Sequence, residues 1–238
     1  MKRVSKAIIL AAGRGSRMGD ETKDKPKCLT KINGAALIEH QIDALTQAGM
    51  EDIAIVTGYK SELLEAYGTK HFHNPDWSKS NMVASLLSAS SWLNQYDCII
   101  SYSDIFYDPQ IIRELISCAA SFAIAYDVHW FELWSKRFQN PLLDAESFSL
   151  DEHHYLTDIG KKNPKLCEIQ GQYMGLLKIK KGLFNELISS LDIDTTTIDM
   201  TSFISLIIKQ QAILCIPNTL PWGEVDSLDD LVLYRCSS

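Results

Sequence analysis

Residues 7–12 form an unbroken apolar run, AIILAA, that opens directly into a glycine at position 13. Because the run has no polar alternation, it is typical of a strand covered on both faces, as in a parallel sheet flanked by helices. Strand-length apolar runs recur along the chain at 53–56, 98–101, 122–128, 173–179 and 213–217. Helical patterns occur at 37–45, 82–93 and 111–120. This alternation predicts an α/β fold with a doubly wound, mostly parallel, Rossmann-like sheet.

The loop after the first apolar run is rich in glycine and in positive charge. Gly13 and Gly15 permit backbone angles that a Cβ would block, and successive N–H groups of such a loop can bind an anion. Five basic side chains follow the first glycine: Arg14, Arg17, Lys23, Lys25 and Lys27. The loop is therefore either a polyphosphate cradle or an ordinary strand-to-helix turn with solvated charges. It is not a P-loop, because Asp20 follows Gly19, and Met18 replaces the last glycine of a Rossmann G-x-G-x-x-G.

Composition restricts the partners of the chain. The net charge is −7, which argues against a broad nucleic-acid surface, and a basic loop in an acidic protein points to a small anionic ligand. No apolar stretch approaches the roughly 18 residues that span a bilayer. The six cysteines include no C-x-x-C pair, which favours a reducing compartment. We therefore expect a cytoplasmic protein that binds neither nucleic acid nor membrane, and its oligomeric state stays open.

A longer motif surrounds the glycine loop. Leu10 to Met18 reads LAAGRGSRM, and Pro26-Lys27 follows it. The combination L-A-A-G-x-G-[ST]-R-[ML] with P-K resembles the signature of the sugar-phosphate and phosphocholine nucleotidyltransferases, which join a nucleoside triphosphate to a phosphorylated small molecule. Within that family, the sequence is most similar to the bacterial CTP:phosphocholine cytidylyltransferases.

The resemblance implies roles for the loop residues. It makes Lys27 and Arg17 catalytic, with Arg17 on the β- and γ-phosphates and Lys27 on the α-phosphate and the incoming phosphate. The compact charge of a lysine could follow the negative charge that develops during transfer. The implied nucleotide-binding residues are Leu10, Ala11, Ala12, Gly13, Gly15, Ser16, Arg17, Gly58, Asn81 and Ser85.

Two aspartates follow apolar or extended segments near the expected ligand edge of the sheet. Asp104 comes just after the run at 98–101, and Asp226 lies between an extended stretch and a predicted helix. Taken alone, each could be a turn or capping aspartate. The resemblance assigns both to a metal site, since the family carries an acid after a central strand and another in an E-V-D-[ST] motif. Together they are expected to hold Mg²⁺, a hard cation that prefers carboxylate oxygens.

The segment SNMVASLLSAS at 80–90 favours a pyrimidine nucleotide. Its Asn-x-x-x-Ser pattern, Asn81 and Ser85, resembles the cytidylyltransferases more than the Gly-Thr-Ala-like entry expected in sugar nucleotidyltransferases. Asn and Ser supply donors and acceptors for a pyrimidine edge. The alternative is a helix N-cap followed by a surface serine.

Between residues 130 and 169 the strand and helix alternation lapses into an aromatic, charged and irregular stretch. We expect one nucleotidyltransferase domain over 1–238, with an acceptor-binding insertion at about 129–172. Aromatic rings attract quaternary ammonium groups, whereas arginine and carboxylates could grip an amino-acid-like acceptor. The candidate acceptor-binding residues are Trp130, Trp134, Arg137, Asp144, Glu146 and Tyr173.

The resemblance implies attack by an acceptor phosphate on the α-phosphorus of CTP, with Mg²⁺ as cofactor and pyrophosphate as leaving group. The expected acceptor is a small phosphorylated amine or alcohol, phosphocholine first. One alternative is a phosphorylated amino acid such as phosphoglutamine, used in surface polysaccharide modification. Two further alternatives are a sugar-1-phosphate nucleotidyltransferase and an inactive nucleotide-binding regulatory protein.

Overall fold

The computed structural model describes residues 6–235, and a seven-stranded sheet forms the centre of this part of the chain. In chain order the strands are β1 (Lys6–Ala11), β2 (Lys31–Ile32), β3 (Ala35–Ala36), β4 (Asp52–Thr57), β5 (Lys70–His73), β6 (Cys98–Tyr102), β7 (Ile105–Tyr107), β8 (Phe122–Asp127), β9 (Glu146–Leu150), β10 (Leu156–Lys162), β11 (Gln172–Ile179), β12 (Leu214–Asn218) and β13 (Trp222–Glu224). The helices are α1 (Leu37–Gln47), α2 (Met82–Leu87), α3 (Ser90–Gln95), α4 (Pro109–Ser117), α5 (Trp130–Arg137), α6 (Leu183–Ser190), α7 (Met200–Ile207) and α8 (Leu228–Arg235). Cys236 and the ends of the predicted 1–238 domain lie outside the described residues, and the single domain stays a prediction.

The central sheet has the strand order β12-β8-β11-β6-β1-β4-β5. Neighbouring strands run parallel, except that β11 is antiparallel to both β6 and β8. The predicted α/β fold with a mostly parallel sheet is confirmed. Strand β5 was not predicted, because its short sequence KHFH lies at the sheet edge and alternates polar and aromatic residues.

The direction of β11 places the predicted insertion at the ligand edge of the sheet. The start of β11 pairs with the end of β8, through Gln172 with Asp127 and Tyr173 with Tyr126. The chain between these strands therefore leaves and re-enters the sheet at the carboxyl ends of the parallel strands. An antiparallel neighbour needs no crossover to the opposite edge, so the insertion stays where open α/β sheets bind ligands.

The two faces of β1 pack into separate apolar layers. Ile8 joins a cluster that contains Leu86 of α2 and Phe203 of α7. Ile9 points to the opposite layer, which contains Leu45 of α1. Burial of each large apolar side chain stabilises the fold by roughly 1.5–3 kcal/mol. This doubly covered strand is therefore a rigid platform for the loop that follows it.

Two local predictions differ from the structure. The predicted helix at 82–93 is divided into α2 and α3, with a break at Ala89. Ser88 and Ser90 donate side-chain hydrogen bonds to backbone carbonyls here, which competes with regular helix geometry. The insertion is ordered rather than irregular, because it contains α5 and the antiparallel pair of β9 and β10. Within residues 6–235, the helices are too short or too polar to cross a membrane.

Candidate active site

Gly15 gives Lys27 its position beneath the loop after β1. Gly15 has a φ of +74°, and a Cβ there would lie 2.6 Å from the Cβ of Lys27. The hydroxyl of Thr22 donates to the Gly15 carbonyl at 2.9 Å, which ties the loop to the segment that follows. Glycine is therefore required at position 15 for both its backbone angle and the close passage of the lysine.

Lys27 is buried between two carboxylates. Its Nζ donates to Asp104 Oδ2 at 2.8 Å and to Asp226 Oδ1, and Arg17 Nη1 lies 2.9 Å from Asp226 Oδ2. Burial alone would lower the pKa of Lys27, but the charges and hydrogen bonds of both aspartates raise it above its ordinary value. The lysine therefore stays protonated and presents a fixed positive charge beside both acids.

A two-stranded ribbon brings the two aspartates together. Strand β7, which begins just after Asp104, pairs with β13, with Ile105 opposite Glu224. The backbone N–H of Val225 donates to the Asp104 carbonyl at 2.8 Å. Residues more than one hundred positions apart thus share one edge of the sheet.

Glu224 completes a group of three carboxylates that the sequence analysis did not predict. Asp104, Glu224 and Asp226 each offer an oxygen, and these oxygens lie within 4.8 Å of one another. Glu224 is the last residue of β13, and Asp226 follows two positions later, beyond the strand. The motif around Asp226 contains Glu224, but only the pairing of β13 with β7 places this carboxylate beside Asp104. Burial and the charge of Asp226 raise the pKa of Glu224 to about 7, although Arg137 opposes the shift.

The carboxylates fit the predicted magnesium ion. Oδ1 of Asp104 is buried, and no hydrogen-bond partner for it lies among residues 6–235. A buried carboxylate oxygen without a donor is costly unless a cation approaches it. Three carboxylates supply the hard oxygen ligands that Mg²⁺ prefers.

One cavity of about 190 Å³ opens on the Lys27 and Asp104 side of this centre. Five predicted nucleotide-binding residues line it, namely Leu10, Gly13, Gly15, Asn81 and Ser85. Ala11 and Ala12 are buried in the core, and Ser16 is exposed on the loop. Arg17 lies instead at the second cavity, described below. Only part of the predicted set of nucleotide-binding residues therefore lines the first cavity.

Gly58 affects the first cavity through Trp77, which packs closely against it. A Cβ on Gly58 would lie 2.6 Å from both the Ala12 carbonyl oxygen and the Cβ of Trp77. Trp77 itself lines the cavity and packs on Tyr59, with ring centroids 5.1 Å apart. Trp77 was not predicted from the sequence, because its place beside the cavity depends on the path of the chain after β4.

Asn74 orients the serine of the predicted pyrimidine pocket. It is buried and donates to the hydroxyls of Ser80 and Ser85, each at 3.0 Å. Asn81 is the N-cap of α2, its Oδ1 accepting from the Met82 N–H at 2.8 Å. Asn81 is therefore the predicted N-cap and also lines the cavity, whereas Ser85 is buried and is not the surface serine of that alternative.

A second cavity, of about 230 Å³, opens on the Asp226 side of the carboxylates. Four predicted acceptor-binding residues line it, namely Trp134, Asp144, Glu146 and Tyr173. The residues that the sequence analysis missed include Tyr102, which also lines the first cavity, and Lys162. Lys162 had no motif to mark it, because its place depends on the pairing of β9 with β10.

Trp130 and Arg137 do not line the second cavity. Trp130 is buried and packs edge-on against Trp134. The Arg137 side chain is only 1% exposed, and it donates to Glu224 at 2.6 Å and to Asp230 at 2.8 Å. In this structure Trp130 therefore packs in the core and Arg137 pairs with protein carboxylates, and both lie outside the lining of the second cavity.

Nucleotidyl transfer joins two anions, and it calls for positive charge and metal-binding carboxylates between two binding cavities. The fold and the site have this arrangement, which places the protein among the nucleotidyltransferases. The chain belongs to the MobA-like NTP transferase domain family, whose model matches residues 7–161.

Two curated relatives cover most of this chain. A CTP:phosphoglutamine cytidylyltransferase from Campylobacter jejuni is 37% identical over 94% of this chain and 97% of its own length. A choline-phosphate cytidylyltransferase from Haemophilus influenzae is 28% identical over 79% of this chain and 90% of its own length.

Solved structures share the fold at low sequence identity. The inositol-1-phosphate CTP transferase from T. maritima superposes with a TM-score of 0.79 and 17% identity, over 98% of this chain and 94% of that one. The CTP:phosphocholine cytidylyltransferase from Streptococcus pneumoniae has a TM-score of 0.72 and 20% identity, covering 99% of both chains.

Proposed function

We propose that the enzyme transfers CMP from CTP to a small phosphorylated acceptor with a cationic nitrogen, releasing pyrophosphate in the cytoplasm. Phosphocholine and phosphorylated amino acids both belong to this acceptor class. The observation that carries the proposal is the position of Lys27, which lies between Asp104 and Asp226 where the two cavities meet. The cytidylyltransferase names of the relatives support CTP as the donor.

The two cavities suit the two substrates. In our proposal CTP occupies the first, with its cytosine near Asn81 and Ser85 and its phosphates on the amides of the loop at Gly13 and Gly15. The acceptor occupies the second, with its phosphate directed at the α-phosphorus. Both reactants are anions, so fixed positive charge and in-line positioning dominate catalysis.

The charged residues at the junction then have separate roles. Lys27 stabilises negative charge at the transferring phosphorus, and Arg17 contacts the phosphates from the acceptor side. Asp104, Glu224 and Asp226 are the residues that would hold Mg²⁺. When bound, that ion neutralises phosphate charge and orients the oxygens for displacement.

Phosphorylated amino acids are a second candidate within this class. The Campylobacter jejuni relative, a phosphoglutamine enzyme, is matched over nearly its whole length. Retention of Arg17, Lys27, Asp104 and Asp226 in mutual contact argues against an inactive binding protein.

The test is pyrophosphate release from the purified protein with each of CTP, UTP, GTP and ATP, across a panel of phosphate monoesters. We expect turnover with CTP and a nitrogen-bearing acceptor, and none in Asp104→Asn. Turnover only with hexose phosphates would contradict the proposal. So would the absence of turnover with every acceptor in the panel.

A further inference from the structure

One cation lies at the acceptor cavity without a role in the proposed transfer. Lys162, near the end of β10, lines this cavity together with Asp144 and Glu146. Its side chain is 71% exposed, whereas that of Glu146 is 22% exposed. The ammonium is therefore accessible from the cavity, while its carboxylate partner is largely covered.

The pair is held in place by the sheet. Lys162 and Glu146 are register partners across β10 and β9, and the Lys162 ammonium donates to Glu146 Oε1. Glu146 is anchored in turn by Gln172, which donates to the Glu146 carbonyl at 2.6 Å and accepts from its N–H at 3.2 Å. An ammonium has three donors, so one bond to Glu146 leaves capacity for a ligand.

The acidic groups around Lys162 differ from those around Lys27. The hydrogen bond to Glu146 raises the pKa of Lys162, and Asp144 and Asp199 add to the shift. The lysine is therefore charged at neutral pH. Lys162 is paired with Glu146, whereas Lys27 is paired with Asp104 and Asp226.

Opposite charges thus lie side by side in the wall of the acceptor cavity. A simple choline group would meet Lys162 as a like charge and would offer the lysine ammonium no acceptor atom. An acceptor with both an ammonium and a carboxylate would match Asp144 and Glu146 with one group and Lys162 with the other.

We propose that Lys162 binds a carboxylate of the acceptor, so that the enzyme selects phosphorylated amino acids over phosphorylated amines that lack this group. The proposal rests on the proposed function, since it concerns the acceptor of the same transfer. Lys162 is a specificity-determining residue, whereas Asp144 and Glu146 attract the positively charged nitrogen that both acceptor types carry.

A structural role for Lys162 predicts a different result. If its only task were to pair with Glu146 across the hairpin, its loss would weaken the cavity wall and affect all acceptors alike. Selectivity between acceptors therefore separates the two roles.

The experiment compares Lys162→Gln with Lys161→Gln. Lys161 is a matched control, because it is 70% exposed and pairs with Asp158. O-phosphoserine and phosphoethanolamine differ by a carboxylate, and phosphoglutamine and phosphocholine extend the comparison. We expect Lys162→Gln to raise KM about 10- to 100-fold for the two amino acids, as for a lost charged hydrogen bond. KM for phosphoethanolamine and phosphocholine should fall, and Lys161→Gln should behave as wild type.

Equal losses for all four acceptors, or the same change in Lys161→Gln, would overturn the inference. Wild-type turnover with phosphocholine but not with either amino acid would overturn it too, while leaving the proposed function intact. Failure of the wild-type enzyme with all four acceptors and CTP would instead reject the proposed function itself.

Discussion

At the scale of single residues, the position of Lys27 is fixed by several neighbouring groups at once. The absent Cβ of Gly15 makes room for it, and Asp104 and Asp226 bond its ammonium. A charge fixed in this way is already oriented when negative charge develops at phosphorus, and such preorganisation lowers the barrier. Its effect should therefore appear in kcat rather than in substrate binding.

We predict that Lys27→Ala lowers kcat about 10²- to 10³-fold, with a smaller change in KM for CTP. Steady-state kinetics at saturating acceptor measure both parameters. The exposed Lys31, four positions along the chain, provides the control Lys31→Ala. A change confined to KM would make Lys27 a residue that only positions the nucleotide.

Glu224 shows why part of the site was not predicted. The motif around Asp226 was recognised, but the third carboxylate is identified only when β13 pairs with β7 beside Asp104. We predict that Glu224→Gln weakens Mn²⁺ binding about tenfold or more, since it removes one charged oxygen ligand. Titration of the free protein followed by electron paramagnetic resonance measures this directly. Unchanged Mn²⁺ affinity would remove Glu224 from the metal site.

At the scale of secondary-structure elements, α8 stabilises the segment that carries Glu224 and Asp226. Asp230 on this helix is buried, and its Oδ2 accepts from the N–H groups of Asp226 and Ser227 at 2.8 and 2.9 Å. Its Oδ1 accepts from Arg137 of α5 at 2.8 Å. Burial opposes ionisation, but the bonds from Arg137 hold the pKa of Asp230 below its usual range.

Asp230 is therefore a positioning residue for Asp226 and Glu224. We expect Asp230→Asn to lower the free energy of unfolding by about 3 kcal/mol, because it leaves the buried Arg137 charge without its full partner. It should also weaken Mn²⁺ binding, with kcat partly restored at high metal concentration. Denaturant melts and metal titrations check both effects. The adjacent, exposed Asp229 gives the control Asp229→Asn, and a stability loss without any metal effect would limit Asp230 to a structural role.

Elements buried on both faces were predictable, and elements that depend on tertiary pairing were not. The runs that became β1, β4, β6 and β8 are apolar because helices cover both sides of them. The hairpin of β9 and β10 has mixed polarity, and residues of both strands line the second cavity. Arg137 was predicted to bind the acceptor, because arginine pairs well with carboxylates. The sequence does not show whether the carboxylate belongs to a ligand or to the protein, and in the structure it belongs to Asp230.

At the scale of the whole molecule, both cavities adjoin one charged centre, since Lys27 and Asp104 line the first and Glu224 and Asp226 line the second. The first is built from the loop after β1 and the start of α2. The second is built mainly from the insertion between β8 and β11. Tyr102, at the end of β6, lines both cavities. If the first cavity binds the donor and the second the acceptor, as proposed, recognition of the two substrates uses separate parts of the chain, and changes in one part should leave binding in the other part largely intact.

This separation gives the last prediction. Ser85→Ala removes a hydroxyl that Asn74 orients in the first cavity, and it should raise KM for CTP about tenfold while leaving acceptor KM near its original value. Trp134→Phe removes the indole N–H that donates to Asp144 at 3.0 Å in the second cavity, and it should raise acceptor KM with little effect on KM for CTP. Initial rates measured over a grid of both substrates test the pair. If each variant changed both KM values to the same extent, the two cavities would not be independent substrate sites, and the assignment of donor and acceptor to them would be wrong.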